Sequence, residues 1–290
     1  MFQKLVFIKF ILLIFVTFLS SNSFSQEKKD SIPEKNWKIT GVFTFLFNQS
    51  SFTNWSSGGD NTIAGTFLIN YDFNYKKGNW NWDNRIITSY GLSNVKGQGN
   101  RKTGDRFEYN SVLGKKTRNN WYLSFFTNFR TQYSRGFNYK TEPKTPISDF
   151  FSPAYLTLGP GMLWKKSNQM TVNIAPATTK LTFVSDEFAG KYGTEPEEIT
   201  KVELGLNISA YFKFLLIENI TMENILSIYS DYMRNFGNID IDYQMNYGIT
   251  VNKYMSMSVN FHFLVDNDAS SKIQMKEIFG LGLKYTFHKK

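Results

Sequence analysis

Residues 62–75 read TIAGTFLINYDFNY, and apolar and polar side chains alternate along them with a period of two. One face carries Ile63, Gly65, Phe67, Ile69, Tyr71, Phe73 and Tyr75; the other carries Thr62, Thr66, Asn70, Asp72 and Asn74. Because successive side chains of a β-strand point to opposite faces, the stretch predicts a strand with one apolar and one polar side. The pattern returns about a dozen times, which predicts an all-β chain and is typical of an antiparallel transmembrane β-barrel of about twelve strands.

The connections between these predicted strands are short and long in turn. Short turns fall near 76–79, 117–120, 167–168 and 218–219, and longer loops near 50–60, 93–104, 136–152 and 184–200. Both ends of the strand-rich region lie on the short-turn side, as in outer-membrane barrels with short periplasmic turns and longer outer loops. A large soluble β-sandwich is the alternative, but such folds rarely have strands this long and this aromatic.

The N-terminal segment has the composition of an export signal. Lys4 and Lys9 frame an apolar run over 10–19, and Ser23 and Ser25 are small residues before a polar stretch. We therefore expect a cleaved signal peptide over 1–25, with an anchor helix as the alternative. Residues 26–36 predict a short periplasmic leader, and 37–290 the barrel. The expected location is the outer membrane of a Gram-negative bacterium.

The composition is compatible with a membrane protein that crosses the bilayer with β-strands. The mean hydropathy is −0.34, although 17% of the residues are aromatic. A barrel accounts for both, since only alternate residues contact lipid and aromatic residues form girdles at the membrane interfaces. No cysteine is present, which excludes disulfides and thiolate metal sites.

The formal net charge of +9 comes from basic residues that are scattered among strands and turns. Nucleic acid is therefore not an expected partner. The expected partners are lipid and glycolipid of the outer membrane, the barrel-assembly machinery and small polar solutes. A basic group near the second long loop either contacts glycolipid phosphates or is simply a soluble basic loop: Lys96, Arg101, Lys102 and Arg106.

Charged side chains on the polar faces of the strands are the candidates for a functional lumen. Those that share the inward parity of their strands are Asp83, Arg85, Arg130, Glu203, Lys213, Glu223, Asp242 and His262. Opposed charges in a narrow lumen can set ion selectivity. The alternative is that they pair with one another and fill the interior.

The pattern favours a passive channel or uptake barrel for ions or a small polar solute. The alternative is a closed structural or surface-interaction barrel that acts through its outer loops. An enzyme is not expected. A barrel enzyme that uses His262 is the least favoured of the three functions. Ser258 shares the parity of His262 but lies ~13 Å away along the strand, too far for a nucleophile–base hydrogen bond.

No cofactor and no metal site are expected. The carboxylates of loop 184–200 lack the regular spacing of a calcium-binding loop. A solvated acidic loop is the better interpretation of these residues.

Three local features depart from a regular barrel pattern. Pro160 and Pro176 fall nearly opposite each other on adjacent strands, which predicts a paired bulge or a weakened seam. Asn224 and Glu277 fall on predicted lipid faces, where a polar group at mid-depth is costly. A bulge, a shift of register or a position near the headgroups would each explain them.

Four segments resemble the DUF3078 family of exported proteins from Bacteroidetes-type bacteria: NWSSGGDN at 54–61, YLTLGPG at 155–161, IAP at 174–176 with TFV at 182–184, and VNKY at 251–254. The resemblance extends over nearly the whole predicted mature chain. It implies a β-rich protein of the outer membrane. Because the family is of unassigned function, it implies no catalytic or binding residue.

Overall fold

The computed structural model describes residues 36–51, 61–97, 99–233, 237, 239–252, 254–266 and 270–289. The predicted signal peptide, nearly all of the predicted leader and most of loop 50–60 lie outside these residues. Within the described residues, no helix is both long enough and apolar enough to cross a bilayer. The elements of the described chain are β1 (Trp37–Ser50), β2 (Thr62–Lys77), β3 (Trp80–Val95), β4 (Gly99–Lys116), β5 (Trp121–Thr131), β6 (Gly136–Asn138), β7 (Thr145–Ser148), β8 (Ala154–Ser167), β9 (Met170–Phe183), a 3₁₀ turn (Asp186–Phe188), β10 (Thr200–Ile217), β11 (Ile220–Asp231), β12 (Ile239–Thr250), β13 (Met255–Asp266) and β14 (Ser270–Lys289).

Twelve of these strands close into one antiparallel barrel. Each strand pairs with its neighbour in sequence, β5 pairs with β8, and β14 returns to β1 along Ile39–Phe47 and Leu281–Lys289. The remaining two, β6 and β7, form a small separate hairpin within the long connection between β5 and β8. The all-β fold class and the strand number predicted from the alternation are therefore confirmed.

The loop predicted over 93–104 is wrong, because most of it is strand. β3 continues to Val95 and β4 begins at Gly99, with Asn94 opposite Asn100. The two amides are joined by a hydrogen bond of 2.7 Å from Asn94 Nδ2 to Asn100 Oδ1. Strands that rise beyond the membrane need no apolar face, so the alternation that predicts a strand is missing there even though the backbone ladder continues.

The outer surface of the barrel is apolar around much of its circumference. Among the described residues, large apolar side chains stand exposed on ten of the twelve barrel strands, and they include Phe43, Phe67, Leu113, Leu123, Phe125, Met162, Ile174, Val202, Leu204, Met275, Phe279 and Leu281. Soluble proteins rarely expose a contiguous apolar surface of this extent. The belt is the lipid-facing surface of a membrane-spanning barrel.

Aromatic side chains border this belt at both ends. At the short-turn end, Trp37 packs against Tyr75 and Trp82, with ring centroids 5.1 and 5.9 Å apart. The exposed aromatic residues at the long-loop end are Tyr133, Phe150, Phe151 and Tyr232. Such girdles mark the two membrane–water interfaces of outer-membrane barrels.

Asn224 on the lipid-facing side is explained by a tyrosine that covers it. It is only 4% exposed, and its Oδ1 accepts a hydrogen bond of 2.8 Å from Tyr243 Oη. Asn84 repeats the arrangement on β3, where it is 1% exposed and accepts a 2.8 Å bond from Tyr109. In each case the polar amide is shielded from lipid, so neither asparagine breaks the apolar belt.

Glu277 is exposed on the outward face of β14, between the exposed apolar side chains of Met275 and Phe279. Unlike Asn224, it is not covered by a neighbouring side chain, so it remains a polar position within the apolar belt.

The two prolines lie at a bulge between β8 and β9. The pairing changes register between Leu158 opposite Thr179 and Met162 opposite Ile174, and β9 also shifts against β10. Below the bulge, odd-numbered residues of β9 such as Asn173 face inward; above it, even-numbered ones such as Lys180 do so. The extra residue therefore changes which side chains of β9 face the lumen on the two sides of the bulge.

Candidate functional site

A group of five side chains crosses the lumen nearer the short-turn end; we call it the lower tier (Asp72, Arg85, Tyr211, Glu223 and Asn246). Arg85 donates from Nε to Asp72 at 2.6 Å and from Nη1 to Glu223 at 3.4 Å. Tyr211 and Asn246 donate to Glu223 at 2.8 and 3.2 Å. Since β3 and β11 are six places apart in the ring of twelve strands, Arg85 and Glu223 come from opposite walls.

A second group, the upper tier, lies nearer the long loops (Arg106, Glu108, Arg130, Asp242, Gln244 and His262). Asp242 on β12 accepts hydrogen bonds from Arg130 on β5, from His262 Nε2 at 2.9 Å and from Gln244 at 3.1 Å. Arg106 on β4 is bonded to Glu108 and donates to Gln244 across the lumen at 2.9 Å. The upper tier therefore also joins opposite walls.

The spacing of the two tiers follows from β12, which contributes to both. Asp242 belongs to the upper tier and Asn246 to the lower tier, and four residues of strand span ~13 Å. Partly buried ion pairs thus tie the barrel across its width at two depths. Their side chains are 15–27% exposed, which is consistent with contact with internal water.

The tiers lie beside two internal cavities. Cavity A, of about 260 Å³, is lined by residues of β2–β5 and β8–β13 and extends to Asn168 at a short turn. Cavity B, of about 390 Å³, is lined mainly by residues of β2–β5 and β12–β14 and reaches Gln132 and Tyr192 of the outer connections. Arg130 and Gln244 line both, so the upper tier stands between the two cavities. Burial raises the pKa of the Tyr192 phenol, which remains a hydrogen-bond donor and is bonded to the carbonyl of Ile147.

Two further ion-pair groups lie outside the tiers. Toward the short turns, Lys165 Nζ donates to Asp83 at 2.5 Å and to Asn81 at 3.1 Å. Toward the long loops, Lys180 Nζ lies 2.6 Å from Asp240 and 3.7 Å from Glu203, which also pairs with Lys201 at 3.1 Å. The interior therefore carries paired charges along much of its length.

The structure has all eight of the sequence-derived lumen candidates on inward-facing positions of their strands. Arg85 and Glu223 meet in the lower tier, Arg130, Asp242 and His262 meet in the upper tier, and Asp83 and Glu203 pair with lysines. Lys213 lies opposite Glu223 in the β10–β11 register and is exposed near the short-turn end.

His262 is bound into the upper tier. Its Nε2 contacts Asp242 Oδ1, and the Asp242 carboxylate is shared with Arg130. Ser258 Oγ is buried and makes no hydrogen bond within the described chain. The arrangement orients the imidazole as part of an ionic cluster. Among the described residues, no group of three or more His, Asp or Glu side chains is arranged to hold a metal ion.

The prediction of a basic loop, either soluble or in contact with glycolipid phosphates, is wrong for two of its four residues. Arg106 lies within β4 and points into the lumen, where it joins the upper tier. Lys102 Nζ is bonded to Asp105 at 2.7 Å and to the carbonyl of Ser134 at 2.6 Å. Because β4 starts six residues earlier than the pattern predicts, these two cations belong to the barrel wall rather than to a loop.

Sequence reasoning did not single out Asp72, Glu108, Lys165 and Lys180 as members of the charged interior. Their signal was the same inward parity that indicated Arg85 and Asp242. For Lys180 the signal was obscured, because the bulge on β9 reverses the parity between Asn173 and that residue.

Comparison with solved structures returns outer-membrane barrels at low similarity. The COG4313 outer membrane channel from Pseudomonas putida F1 is 10% identical with a TM-score of 0.40, covering 92% of this chain and 100% of that chain. The translocator domain of autotransporter NalP from Neisseria meningitidis is 10% identical with a TM-score of 0.36, covering 88% and 89%. These values support no transfer of function.

No curated protein matches the sequence significantly. A family model does match, over a shorter stretch than the resemblance suggested: of the four segments quoted above, only 54–61 lies within it. Residues 47–137, from the end of β1 to β6, match the family described as "Protein of unknown function (DUF3078)", which confirms the family resemblance for this segment of the chain.

Proposed function

We propose that this chain is an outer-membrane channel for small polar solutes whose resting lumen is closed by the two ionic tiers. The apolar belt and the aromatic girdles support a place in a bilayer, and the polar interior supports passage of hydrated solutes. Export through a cleaved signal peptide, and insertion by the barrel-assembly machinery, belong to the same proposal.

The observation that carries the proposal is that charged side chains span the lumen with cavities beside them. An interior that only needs filling is better filled by apolar residues, because replacing buried ion pairs with apolar groups is often neutral or stabilising. The ties are made by side chains alone, which can change rotamer without moving a strand. Ion pairs between two cavities are therefore suited to a gate, with cavity B on the side of the outer loops.

A closed barrel that acts through its outer surface is the second candidate. The observation in its favour is the same pair of tiers, since both Arg85–Glu223 and Arg130–Asp242 bridge opposite walls. The two functions differ in whether the ties ever open. Conductance distinguishes them.

The experiment is single-channel recording of the folded mature protein in a planar bilayer. Asp242→Asn combined with Glu223→Gln removes the carboxylate that anchors each tier and should increase the time spent conducting. Arg130→Glu should shift the ion preference toward cations, because it reverses a charge in the lumen. Glu187→Gln, in the outer loop, is the matched control and should conduct as the unsubstituted protein does.

Folding of every variant is checked by its heat-modifiable migration in gels before recording. If both the unsubstituted protein and the double variant are folded and electrically silent, the channel proposal fails. The closed-barrel function then replaces it. N-terminal sequencing of protein from isolated outer membranes tests the expected cleavage before Gln26.

A further inference from the structure

We propose that cavity A is a binding site for a small uncharged polyol of monosaccharide size. The site is a row of three buried polar side chains on adjacent strands: Asn173 on β9, Asn207 on β10 and Tyr229 on β11. The proposal rests on the channel function in that the bound compound would be the solute carried, but binding can be measured without any current.

The three side chains are buried and each leaves one polar atom without a partner in the described chain. They are 2%, 3% and 5% exposed, respectively. The unpartnered atoms are Asn173 Nδ2, Asn207 Oδ1 and Tyr229 Oη, and all three residues line cavity A. Buried polar atoms without a hydrogen bond are rare in folded proteins because they cost free energy, so three around one cavity indicate a polar occupant.

The register brings these atoms together. Asn207 lies directly opposite Tyr229 in the β10–β11 pair. Across the β9–β10 pair, Asn173 is the diagonal neighbour of Asn207. Diagonal neighbours in a sheet are about 7–8 Å apart at Cα. A ring-sized molecule with several hydroxyl groups spans that distance.

The two asparagine side chains are held so that their other polar atoms are already used. Asn173 Oδ1 accepts a 2.6 Å hydrogen bond from Ser124, which leaves the Nδ2 donor free. Asn207 Nδ2 donates to Ser227 Oγ at 3.1 Å and to the carbonyl of Ile228 at 3.3 Å, which leaves the Oδ1 acceptor free. The row therefore offers a donor, an acceptor and a hydroxyl.

The phenol of Tyr229 is positioned by its surroundings. Lys180 Nζ lies 5.1 Å from the ring centroid, and the ring leans over Gly205. A Cβ atom at Gly205 would lie 2.9 Å from Tyr229 Cζ and 2.0 Å from the carbonyl oxygen of Ser230. Only glycine leaves space for this ring. The packing therefore fixes the direction of the hydroxyl group, which has no hydrogen-bond partner in the described chain.

The rest of the cavity wall gives the chemistry of the ligand. Charged side chains of the two tiers also line cavity A, and they are paired, Arg85 with Asp72 and Arg130 with Asp242. Val112, Phe126 and Leu163 form an apolar side on β4, β5 and β8. The ammonium group of Lys180 is bonded to Asp240, so the cation nearest to the row is already neutralised. A volume of about 260 Å³ is just below the usual ~300–1,000 Å³ of small-molecule sites. An uncharged polyol fits these conditions, with its hydroxyl edge on the row and its C–H face on Phe126.

The test is isothermal titration calorimetry on the folded mature protein in a detergent without a sugar headgroup. The probes are D-glucose and myo-inositol, with D-gluconate as a charged compound of similar size. Tyr229→Phe removes only an oxygen that bonds nothing in the described chain, and Asn207→Leu removes the acceptor. Tyr243→Phe, on the lipid-facing side of β12 and outside the lining of cavity A, is the matched control.

We expect saturable binding of at least one polyol and weaker or no binding of gluconate. Loss of one neutral hydrogen bond should weaken polyol binding about 3- to 10-fold in Tyr229→Phe and Asn207→Leu. The control should bind as the unsubstituted protein does. Absence of saturable polyol binding to folded protein, equal affinities in all variants, or a preference for gluconate would each overturn the site.

The outcome is separable from that of the channel proposal. A barrel that conducts but binds neither polyol loses the site and retains the channel. A barrel that binds a polyol through Tyr229 and stays electrically silent retains the site and loses the channel.

Discussion

Asp242 is the side chain on which the upper tier depends, and its removal gives the most informative stability measurement. One carboxylate accepts hydrogen bonds from Arg130, His262 and Gln244. Asp242→Asn preserves the size of the side chain while it removes the charge. It leaves the Arg130 guanidinium without its anion, between opposite walls of the barrel.

The expected loss in the free energy of unfolding follows from burial and from the kind of bond. A hydrogen bond to a charged group contributes ~1.5–3 kcal/mol, and stranding one member of a buried ion pair costs ~3–5 kcal/mol. The side chains of Asp242 and Arg130 are 15% and 26% exposed, so solvent screens part of that penalty. We expect a loss of about 2–3 kcal/mol for Asp242→Asn.

A double-mutant cycle assigns this loss to the pair. Arg130→Gln alone should cost about 2 kcal/mol, and the double variant should cost less than the sum of the two, with a coupling energy of about 1–2 kcal/mol. The assay is urea unfolding of barrels refolded in lipid vesicles, followed by tryptophan fluorescence. Asp186→Asn in the outer loop is the control and should change stability by less than ~0.5 kcal/mol. Additive losses, or a loss for Asp242→Asn as small as the control, would refute the view that this tie holds the lumen closed.

Three further outcomes can be measured on the same preparation. Gly161→Ala should lower stability by about 2 kcal/mol, because its Cβ would lie 2.6 Å from a carbonyl oxygen of β9; Gly104→Ala meets only a flexible lysine tip at 3.3 Å and should have little effect. Tyr243→Phe should cost about 1–2 kcal/mol by leaving Asn224 unsatisfied beneath lipid, and adding Asn224→Leu should recover most of that loss. Amides at the β8–β9 bulge should exchange faster than those of β12 and β13; equal protection would contradict a weakened seam.

The alternation of side chains was enough to predict the barrel, because a period of two over so many strands has few other solutions. It also assigned Arg130 and Asp242 to the inward faces of their strands. It could not predict that they pair, since 112 residues separate them and the contact depends on which walls face each other after closure. Local patterns carry no information about that geometry.

The polar row of cavity A was missed for a different physical reason. Sequence reasoning weighed charges, whereas Asn173 and Asn207 are neutral residues of a kind found on any polar strand face. What distinguishes them is that each has one polar atom satisfied and one left over. That property belongs to the packed state alone, as does the close approach at Gly205 that places Tyr229.

The ties across the lumen also constrain the order in which this chain can fold. Arg85 and Glu223 are 138 residues apart, as are Arg106 and Gln244, and each pair belongs to opposite walls. While the strands form an open sheet, these ions can remain hydrated and their partners lie far away. Contacts of such high separation form late, because the intervening chain must first be ordered. The charged interior therefore loses its water only when β14 pairs with β1 and the barrel closes. A chain arrested before closure would expose its charged face to water and its apolar face to lipid, and neither tier would have formed.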